Sequence, residues 1–359
     1  MLVKDILIHK SDSIKKALKR LDKTAVKALL VVDKDNKLLG AISDGDIRRH
    51  ILKGKDLEGD ISEIYNKSPI YIQKEELSME SVKKLLIRYK IELIPVLDNE
   101  HKVVEYITWD QLFPESEQPP FKKSRIDIPV VIMAGGKGSR LEPFTKILPK
   151  ALIPVGDKPI IEMIIDEFKQ QGVEKFYLTL NHKSEMIKAY FKGIEKEYKV
   201  NYIKEKTFLG TAGSLKLLEN KISDTFIVSN CDIIVKANFE NVLALHQEQK
   251  ASLTILSSVQ HYEIPYGVIN LKEGGEVANI LEKPEYTFTI NTGVYVLNKD
   301  TLDFIPADSH MDMTELIKIL AKNGKKILTY PVNEKEYLDI GQWKEYKKVL
   351  QYFHEQETK

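Results

Sequence analysis

The sequence has few of the features that mark a secreted, membrane or nucleic-acid-binding protein. Its 359 residues include one cysteine, Cys231, which excludes an internal disulfide and a zinc site built on paired cysteines. It contains no apolar run of about 18 residues and no signal peptide, so we expect a cytoplasmic protein with no membrane partner. The net charge of +1 gives no general attraction to nucleic acid. With 43% hydrophobic and 30% charged residues, the chain is long enough for two or three globular domains.

Three familiar site motifs are also absent. The chain contains neither the GxxxxGK[ST] loop of P-loop enzymes nor the GxGxxG order of dinucleotide-binding proteins. Its eight histidines show no HExxH spacing, and we assign no role to His182 or to Cys231.

An internal repeat occupies the first third of the chain. ALLVVDKDNKLLGAISDGDIRR (28–49) aligns with LIPVLDNEHKVVEYITWDQL (93–112), and Asp33 matches Asp98 at an offset of 65 residues. Each copy has two apolar strands around a polar turn and then a helix that begins at an acidic residue. Before each copy, apolar residues at helical spacing predict one further amphipathic helix: Ile14, Ala17, Leu18 and Leu21 in the first, and Val82, Leu85, Leu86 and Tyr89 in the second. Since one such unit cannot bury its apolar face, we expect the two to pack together.

The rest of the chain follows a polar, proline-containing segment, PESEQPPFKKSR. Beyond it, four apolar runs, PVVIMA, KFYLTL, TFIVSN and ASLTIL, alternate with three helical patterns, PIIEMIIDEFKQQ, SEMIKAYFKGI and FENVLALHQEQ. This alternation predicts a largely parallel sheet with helices on both faces and a ligand site at the carboxyl ends of the strands. The predicted organisation is two repeats, a linker and a second domain, at residues 1–58, 59–113, 114–126 and 127–359.

The segment GAISDGDIRRHIL (40–52) resembles the second half of a CBS domain. This resemblance implies an adenosine-nucleotide site in which Asp46 holds the ribose and Ser43 helps to hold phosphate. The same two residues could instead simply cap the helix. In the second copy the loop ITWD is one residue shorter and Glu105 replaces the loop glycine, which favours a capping role for Asp110. The pair could therefore bind a regulatory nucleotide or serve as an interface between copies, and we expect a homo-oligomer.

The most specific motif is PVVIMAGGKGSRLEPFTKILPKALIPVGDKPIIEMII (129–165). A buried strand leads into a loop with three glycines, followed by Arg140 and Lys150. Glycines after a strand let backbone amides approach a phosphate, and the two cations can pair with phosphate oxygens. The segment resembles the signature GGxGTRLxPxTxxxPKxxxPV of the sugar-nucleotide pyrophosphorylases, with Ser139 in place of threonine.

That family resemblance extends to about residue 345 and implies a Rossmann-like, GT-A-like nucleotidyltransferase domain with a mixed α/β sheet, preceded by an α+β tandem CBS pair. It implies that Arg140, Lys150 and Lys283 are catalytic cations and that Asp232 (in VSNCD) and Asp339 (in YLDIGQW) hold Mg²⁺. It places the nucleotide at Ala134, Gly135, Gly136, Gly138, Glu205, Gly210 and Thr211. It places the sugar at Gly267, Glu282, Asn291 and Thr292.

The implied reaction transfers a nucleotidyl group from an NTP to a sugar 1-phosphate and releases pyrophosphate. Glu205, placed before LGTAG, could accept hydrogen bonds from guanine, which favours GTP. A CBS pair before a short transferase resembles the glucosamine-1-phosphate guanylyltransferases of legionaminic acid biosynthesis, which implies glucosamine 1-phosphate and a bacterial surface glycan. Mannose-1-phosphate guanylyltransferase and glucose-1-phosphate thymidylyltransferase are alternatives. A further alternative, of another class, is a non-catalytic nucleotide sensor that works through its CBS pair.

Overall fold

The structure is a computed structural model that describes residues 2–24, 26–89, 91–112, 126–341, 343–347 and 350. The predicted linker, 114–126, lies outside these residues apart from its last residue. Within the described residues, no helix combines the length and the apolarity that a membrane crossing requires.

The described residues of the N-terminal part form two small sheets and five α-helices. Its helices are α1 (Val3–Ile6), α2 (Ile14–Thr24), α3 (Asp44–Leu52), α4 (Met79–Tyr89) and α5 (Trp109–Leu112). Its strands are β1 (Leu7–His9), β2 (Ala28–Val32), β3 (Leu38–Ser43), β4 (Ile72–Gln73), β5 (Leu93–Leu97) and β6 (Val103–Thr108).

The two sheets have the same topology, as the internal repeat predicts. In each, the first strand is parallel to the second and the second is antiparallel to the third: β1-β2-β3 and β4-β5-β6. Both hairpins have a register shift at equivalent positions, after Val31 in one and after Val96 in the other. A bridge between Lys37 and Lys102 joins the two hairpins. The two repeats therefore share the same strand topology, including the position of the register shift in each hairpin.

The amphipathic helices follow the predicted pattern with one exception. Ile14, Ala17, Leu18 and Leu21 of α2 are all buried. In α4, Val82 and Leu86 are buried and Leu85 packs against them, but Tyr89 is 44% exposed. The prediction for Tyr89 was wrong because α4 ends at that residue, so its ring has no further turn of core to cover.

The second part is built on a seven-stranded mixed sheet with the order β11-β10-β7-β12-β17-β14-β18. The strands are β7 (Val130–Met133), β8 (Pro154–Val155), β9 (Lys158–Pro159), β10 (Lys175–Leu180), β11 (Lys199–Lys204), β12 (Phe226–Asn230), β13 (Ile233–Val235), β14 (Leu253–Glu263), β15 (Val268–Leu271), β16 (Val277–Leu281), β17 (Glu285–Leu297), β18 (Ile327–Val332) and β19 (Tyr337–Asp339). The helices are α6 (Phe144–Ile147), α7 (Ile160–Lys169), α8 (Ser184–Gly193), α9 (Gly210–Gly213), α10 (Phe239–Glu248) and α11 (Met313–Lys322).

Helices cover both faces of this sheet. Side chains alternate along β7, so that Val130 and Ile132 enter one hydrophobic core while Val131 and Met133 enter the other. The first core includes the apolar faces of α7, α8 and α10, and the second includes α11. Only β17 is antiparallel to its neighbours, so the predicted α/β fold with a largely parallel, mixed sheet is confirmed.

Candidate active site

Two carboxylates meet beside the carboxyl end of β12. Asp232 lies two residues beyond the end of that strand, and Asp339 ends β19. Strands β13 and β19 form an antiparallel ribbon in which Ile233 is paired with Asp339, so Asp232 and Asp339, 107 positions apart along the chain, become neighbours. The Ile340 amide closes the ribbon by donating to the Asp232 carbonyl at 2.8 Å. Asp232 is 6% exposed, and burial together with the charge of Asp232 raises the pKa of Asp339.

Two cations from the glycine-containing motif reach this pair. The Lys150 ammonium, itself buried, donates to Oδ2 of Asp232. The Arg140 guanidinium lies 4.0 Å from the same oxygen, and 65% of its side chain is exposed. Lys150 is therefore held in place by the protein, whereas Arg140 is open to a ligand. The sequence could not reveal the Lys150–Asp232 contact, because 82 residues separate the partners.

Gly341, which the sequence analysis did not single out, leaves the space that this cluster needs. A Cβ on Gly341 would collide with Oδ2 of Asp232 and lie 2.9 Å from Oδ1 of Asp339 and 3.1 Å from Nζ of Lys150. Its amide also donates to Oδ1 of Asp339 at 2.6 Å, which fixes the rotamer of that carboxylate. The glycine is visible in the segment YLDIGQW, but the sequence alone does not show which side chains it faces.

The donor set fits a hard divalent cation. Asp232 and Asp339 offer carboxylate oxygens next to a position that only a glycine leaves open. Oxygen ligands of this kind, few in number and combined with substrate phosphates, are typical of Mg²⁺ sites. The repulsion that helps to raise the pKa of Asp339 is also relieved by a bound cation. These two residues would hold the metal that the family resemblance implies.

The glycine loop lies next to the same cluster. Gly138 has φ of 71°, and a Cβ there would lie 2.8 Å from the Cβ of Lys150, so the loop packs directly on the lysine. Gly136 is exposed and has open space around it, which leaves its backbone accessible. Ala134 is buried and extends the sheet by donating to the Thr179 carbonyl at 3.0 Å. The loop thus combines a fixed base with an open tip.

Glu205 connects the glycine loop to the next predicted nucleotide segment. Its Oε2 accepts a hydrogen bond from the Leu209 amide at 3.2 Å, and its Oε1 lies 2.5 Å from where a Cβ on Gly135 would be. The side chain is buried, and burial raises the pKa of this carboxyl. Glu205 therefore helps to order both loops, in addition to any contact with a base.

The segment 209–213 is fastened to the start of α11. The Ala212 and Gly213 amides donate to the Met311 carbonyl at 2.9 and 3.0 Å. Thr211 donates both its amide and its hydroxyl to Oδ1 of Asp312 at 3.3 Å. Gly210 has φ of 77° and leaves no room for a side chain against Met311. Sequence reasoning missed Asp312; the D-x-x-E pattern before α11 signals a helix cap but not its contact with Thr211.

Of the predicted sugar residues, Asn291 and Thr292 lie on β17, whereas Gly267 precedes β15 and Glu282 follows β16. Glu282 Oε2 is 3.1 Å from where a Gly267 side chain would begin, so these two are brought together. Asn291 donates to the Tyr295 hydroxyl at 2.8 Å, and the Thr292 hydroxyl donates to the Leu256 carbonyl at 2.7 Å. Thr292 is thereby engaged with the backbone at an irregularity of the β14–β17 pairing.

Lys283 and Cys231 have contrasting surroundings. Lys283 is exposed in the turn between β16 and β17, with φ of 45°. Cys231 is buried next to Asp232, and burial raises the pKa of its thiol to about 12, so it stays protonated near neutral pH. This agrees with assigning no nucleophilic role to Cys231.

Ser43 and Asp46 form a capping box at the start of α3. Oδ2 of Asp46 accepts from the Ser43 amide at 2.8 Å and from its hydroxyl at 2.6 Å, while Oδ1 pairs with Arg49 at 2.5 Å. Both residues also line a cavity of about 830 Å³ between the two repeats and the second domain. On its other side, the cavity is lined by Lys236 and Glu336. The capping interpretation thus has direct contacts, and the nucleotide interpretation stays a prediction.

Comparison with known families identifies both parts of the chain. The nucleotidyl transferase family model matches residues 129–356, and the CBS domain model matches residues 2–53. The protein belongs to the nucleotidyl transferase family, with a CBS domain at its N-terminus. The resemblance drawn from the motifs is confirmed.

Among curated proteins, the chain is 30% identical over 237 residues to a UTP–glucose-1-phosphate uridylyltransferase of Synechocystis sp., covering 60% of this chain and 61% of that protein. It is 33% identical over 224 residues to a mannose-1-phosphate guanyltransferase of Yarrowia lipolytica, covering 60% and 61%. The chain thus spans about three fifths of the length of these relatives. Among solved structures, HddC from Yersinia pseudotuberculosis, also solved in complex with GMP-PN, is 26% identical with a TM-score of 0.51 and covers 63% of this chain and 99% of its own.

Proposed function

We propose that this protein transfers a nucleotidyl group from an NTP to a sugar 1-phosphate and releases pyrophosphate. The observation that carries the proposal is the meeting of Asp232, Asp339 and Lys150 beside the glycine loop, at the carboxyl end of a sheet strand. The named relatives above carry activities of this class.

In the proposed reaction, a phosphate oxygen of the sugar 1-phosphate attacks the α-phosphorus of the NTP. The bond from that phosphorus to the bridging oxygen of the β-phosphate breaks, and pyrophosphate leaves with the electron pair. The nucleophile is already an anion, so no general base is needed, and the protein has to position the phosphates and neutralise their charge. When bound, Mg²⁺ would supply charge neutralisation at the reacting phosphates.

Residues of this chain divide that work. Gly136 offers open backbone to the nucleotide phosphates, and the exposed Arg140 offers a planar pair of donors to the departing pyrophosphate. Lys150 holds Asp232 in place through its contact with Oδ2, and its positive charge faces the same site. Asp232 and Asp339 would hold the metal. Lys283, on an exposed turn, is free to approach the phosphate of the sugar substrate.

We further propose GTP as the nucleotide and glucosamine 1-phosphate as the sugar substrate. Support for GTP comes from the buried Glu205, whose carboxylate lies between the two nucleotide segments and can accept hydrogen bonds from guanine donors. The guanyltransferase relative and the HddC complex are consistent with it, whereas the uridylyltransferase relative favours another base. Mannose 1-phosphate with GTP and glucose 1-phosphate with dTTP are the alternatives to test.

The experiment is a panel of the four NTPs and dTTP against glucosamine, mannose and glucose 1-phosphates, with Mg²⁺, read out as pyrophosphate release. We expect release with at least one pair and the highest kcat/KM with GTP and glucosamine 1-phosphate. A different best pair would revise the substrates and leave the class intact. No release with any pair, together with nucleotide binding at the N-terminal part, would favour the non-catalytic sensor instead.

A further inference from the structure

The N-terminal part contacts the second domain at the edge of its sheet. Strand β18 is the last strand in the sheet order, and helix α3 packs against it. Arg48 of α3 makes the contact: its Nε donates to the Pro331 carbonyl at 2.7 Å, and its Nη1 donates to the Tyr330 hydroxyl at 2.9 Å. The guanidinium also lies 4.5 Å from the centre of the Tyr330 ring, and its Nη2 pairs with Asp44.

This arginine is fixed in a way that its neighbour is not. Only 17% of the Arg48 side chain is exposed, and three of its nitrogens have named acceptors on two domains. Arg49, the next residue, is 66% exposed and pairs with Asp46 on its own helix. A planar guanidinium with several fixed partners transmits position between the elements it joins, whereas an exposed pair contributes little.

From Pro331, eight residues of ordered chain lead to Asp339. Strand β18 ends at Val332, and Asn333 caps the following turn, accepting from the Glu336 amide at 3.0 Å. Glu336 then accepts a hydrogen bond from the Lys236 amide at 2.8 Å, which ties the turn to the start of the β13–β19 ribbon. The opposite end of that ribbon carries both carboxylates of the site. Hydrogen bonds hold each of these steps. A displacement of Pro331 is therefore passed on to the β13–β19 ribbon.

We infer that Arg48 is a positioning residue: the N-terminal CBS-type domain, through Arg48 and the end of β18, sets where Asp339 stands relative to Asp232. This inference rests on the proposed function for its catalytic meaning, but its structural content is the metal affinity of the two carboxylates. The cavity of about 830 Å³ is lined by Arg48, Tyr330 and Glu336, so it opens onto this connection.

The test measures Mn²⁺ binding to the full-length protein by electron paramagnetic resonance, with no substrate present. Arg48→Met should weaken Mn²⁺ binding about tenfold, the size seen when the support of a metal ligand is removed. Arg48→Lys keeps the positive charge but loses the planar guanidinium. Its Mn²⁺ affinity should lie between that of the wild type and that of Arg48→Met. Arg49→Met is the matched control and should bind as the wild type does. In turnover assays, Arg48→Met should need more Mg²⁺ and show a lower kcat, with the KM for sugar phosphate unchanged.

The outcomes separate this inference from the proposed function. A folded Arg48→Met protein with wild-type Mn²⁺ affinity overturns the inference. If Arg48→Met does not fold, Tyr330→Phe removes one partner of Arg48 conservatively and should weaken Mn²⁺ binding two- to threefold; no change overturns the inference. If the wild type binds Mn²⁺ but releases no pyrophosphate, the proposed function fails while the Mn²⁺ comparison still decides the role of Arg48. A wild type that binds no Mn²⁺ removes the metal site and the inference together.

Discussion

At the scale of single residues, the site depends on charged side chains that lie close together and are partly shielded from solvent. Lys150 contacts the buried carboxylate of Asp232, and partial burial raises the pKa of the half-buried Asp339. The two carboxylates can receive a divalent cation, and the exposed Arg140 guanidinium, 4.0 Å from Asp232, can then receive phosphate oxygens. Removing one charge should therefore affect chemistry more than folding.

Asp232→Asn should lower turnover about 100-fold or more, because it removes a hard anionic ligand without changing the shape of the side chain. Circular dichroism and the melting temperature should stay close to wild type. Asp224→Asn, at an exposed carboxylate near the other end of β12, is the control and should be fully active. Activity above about a tenth of wild type would contradict the assignment of Asp232 to the metal.

Glu205→Gln distinguishes two roles of one buried carboxylate. If Glu205 reads guanine, kcat/KM for GTP should fall about tenfold or more relative to the other NTPs, because the amide replaces one accepting oxygen with an NH2 group, which would face a guanine donor. If it serves only the Leu209 amide and the Gly135 loop, all NTPs should be affected alike. Measuring kcat/KM across the NTP panel decides between them, and an unchanged preference would remove the main support for GTP.

The structure brings together some of the predicted site residues, and the sequence could not show how they are held. Asp232 and Asp339 followed from motifs at strand ends, and the structure makes them neighbours in one ribbon. The Lys150–Asp232 contact and the space left by Gly341 depend on chain segments far apart in sequence. Local patterns carry no information about such contacts, since packing of the whole domain decides them.

At the scale of elements, the structure differs from the sequence analysis mainly where strands continue beyond the sheet. The pattern ASLTIL predicted a short buried strand, whereas β14 runs from Leu253 to Glu263 and pairs with β17 over its full length. Along the last residues of β14, apolar and polar side chains do not alternate clearly, and these residues are partly exposed. Hydrophobic periodicity could therefore not reveal them. By contrast, α7, α8 and α10 lie where their apolar spacing predicted helices.

Asp312 tests whether a helix cap can position a nucleotide segment. Asp312→Ala removes the cap of α11 and the acceptor for Thr211, so we expect a loss of about 1 kcal/mol of stability and a several-fold higher KM for the NTP. The KM for the sugar phosphate should not change. Asn238→Ala removes the cap of α10 and should cost similar stability with no effect on the KM for NTP. Equal effects of both variants on that KM would mean that Asp312 acts only through stability.

At the scale of the whole molecule, the contact between the two domains includes titratable groups. Asp22 of α2 faces His261 of β14 with 3.8 Å between Oδ2 and Nε2, and Oδ1 of Asp22 has no hydrogen-bond partner among the described residues. Burial, with the nearby charges of Glu334 and Asp44, raises the pKa of Asp22 to about 7. Burial, with the charges of Lys19 and Lys15, lowers the pKa of His261.

The signs of these shifts predict a pH dependence. An Asp with a raised pKa in the folded state stabilises the fold below its unfolded value, 3.8, and that contribution is lost as pH rises to about 7. Asp22→Asn should therefore be more stable than wild type at pH 8, by about 2 kcal/mol after allowance for water access, and similar near pH 4. His261 acts in the opposite direction, because its lowered pKa means that stability is lost as pH falls below the ordinary pKa of histidine.

Melting temperatures of wild type and Asp22→Asn from pH 4 to 8 check this prediction. Asp35→Asn, at an exposed turn of the same domain, is the control and should follow the wild type at every pH. A difference between Asp22→Asn and wild type that does not grow with pH would mean that Asp22 is ionised and well solvated in the folded protein.

The position of α3 over β18 has a practical consequence for anyone who separates the two halves. Without α3, the transferase half would end in an open row of main-chain donors and acceptors, with the Pro331 carbonyl no longer satisfied. Such an edge invites a second molecule to add its own strand, so the excised half should tend to self-associate. The truncation would then change solubility and folding yield in addition to any loss of regulation. Loss of activity in a truncated protein would therefore not show that the N-terminal part regulates activity. Point variants of Arg48 test that question more directly.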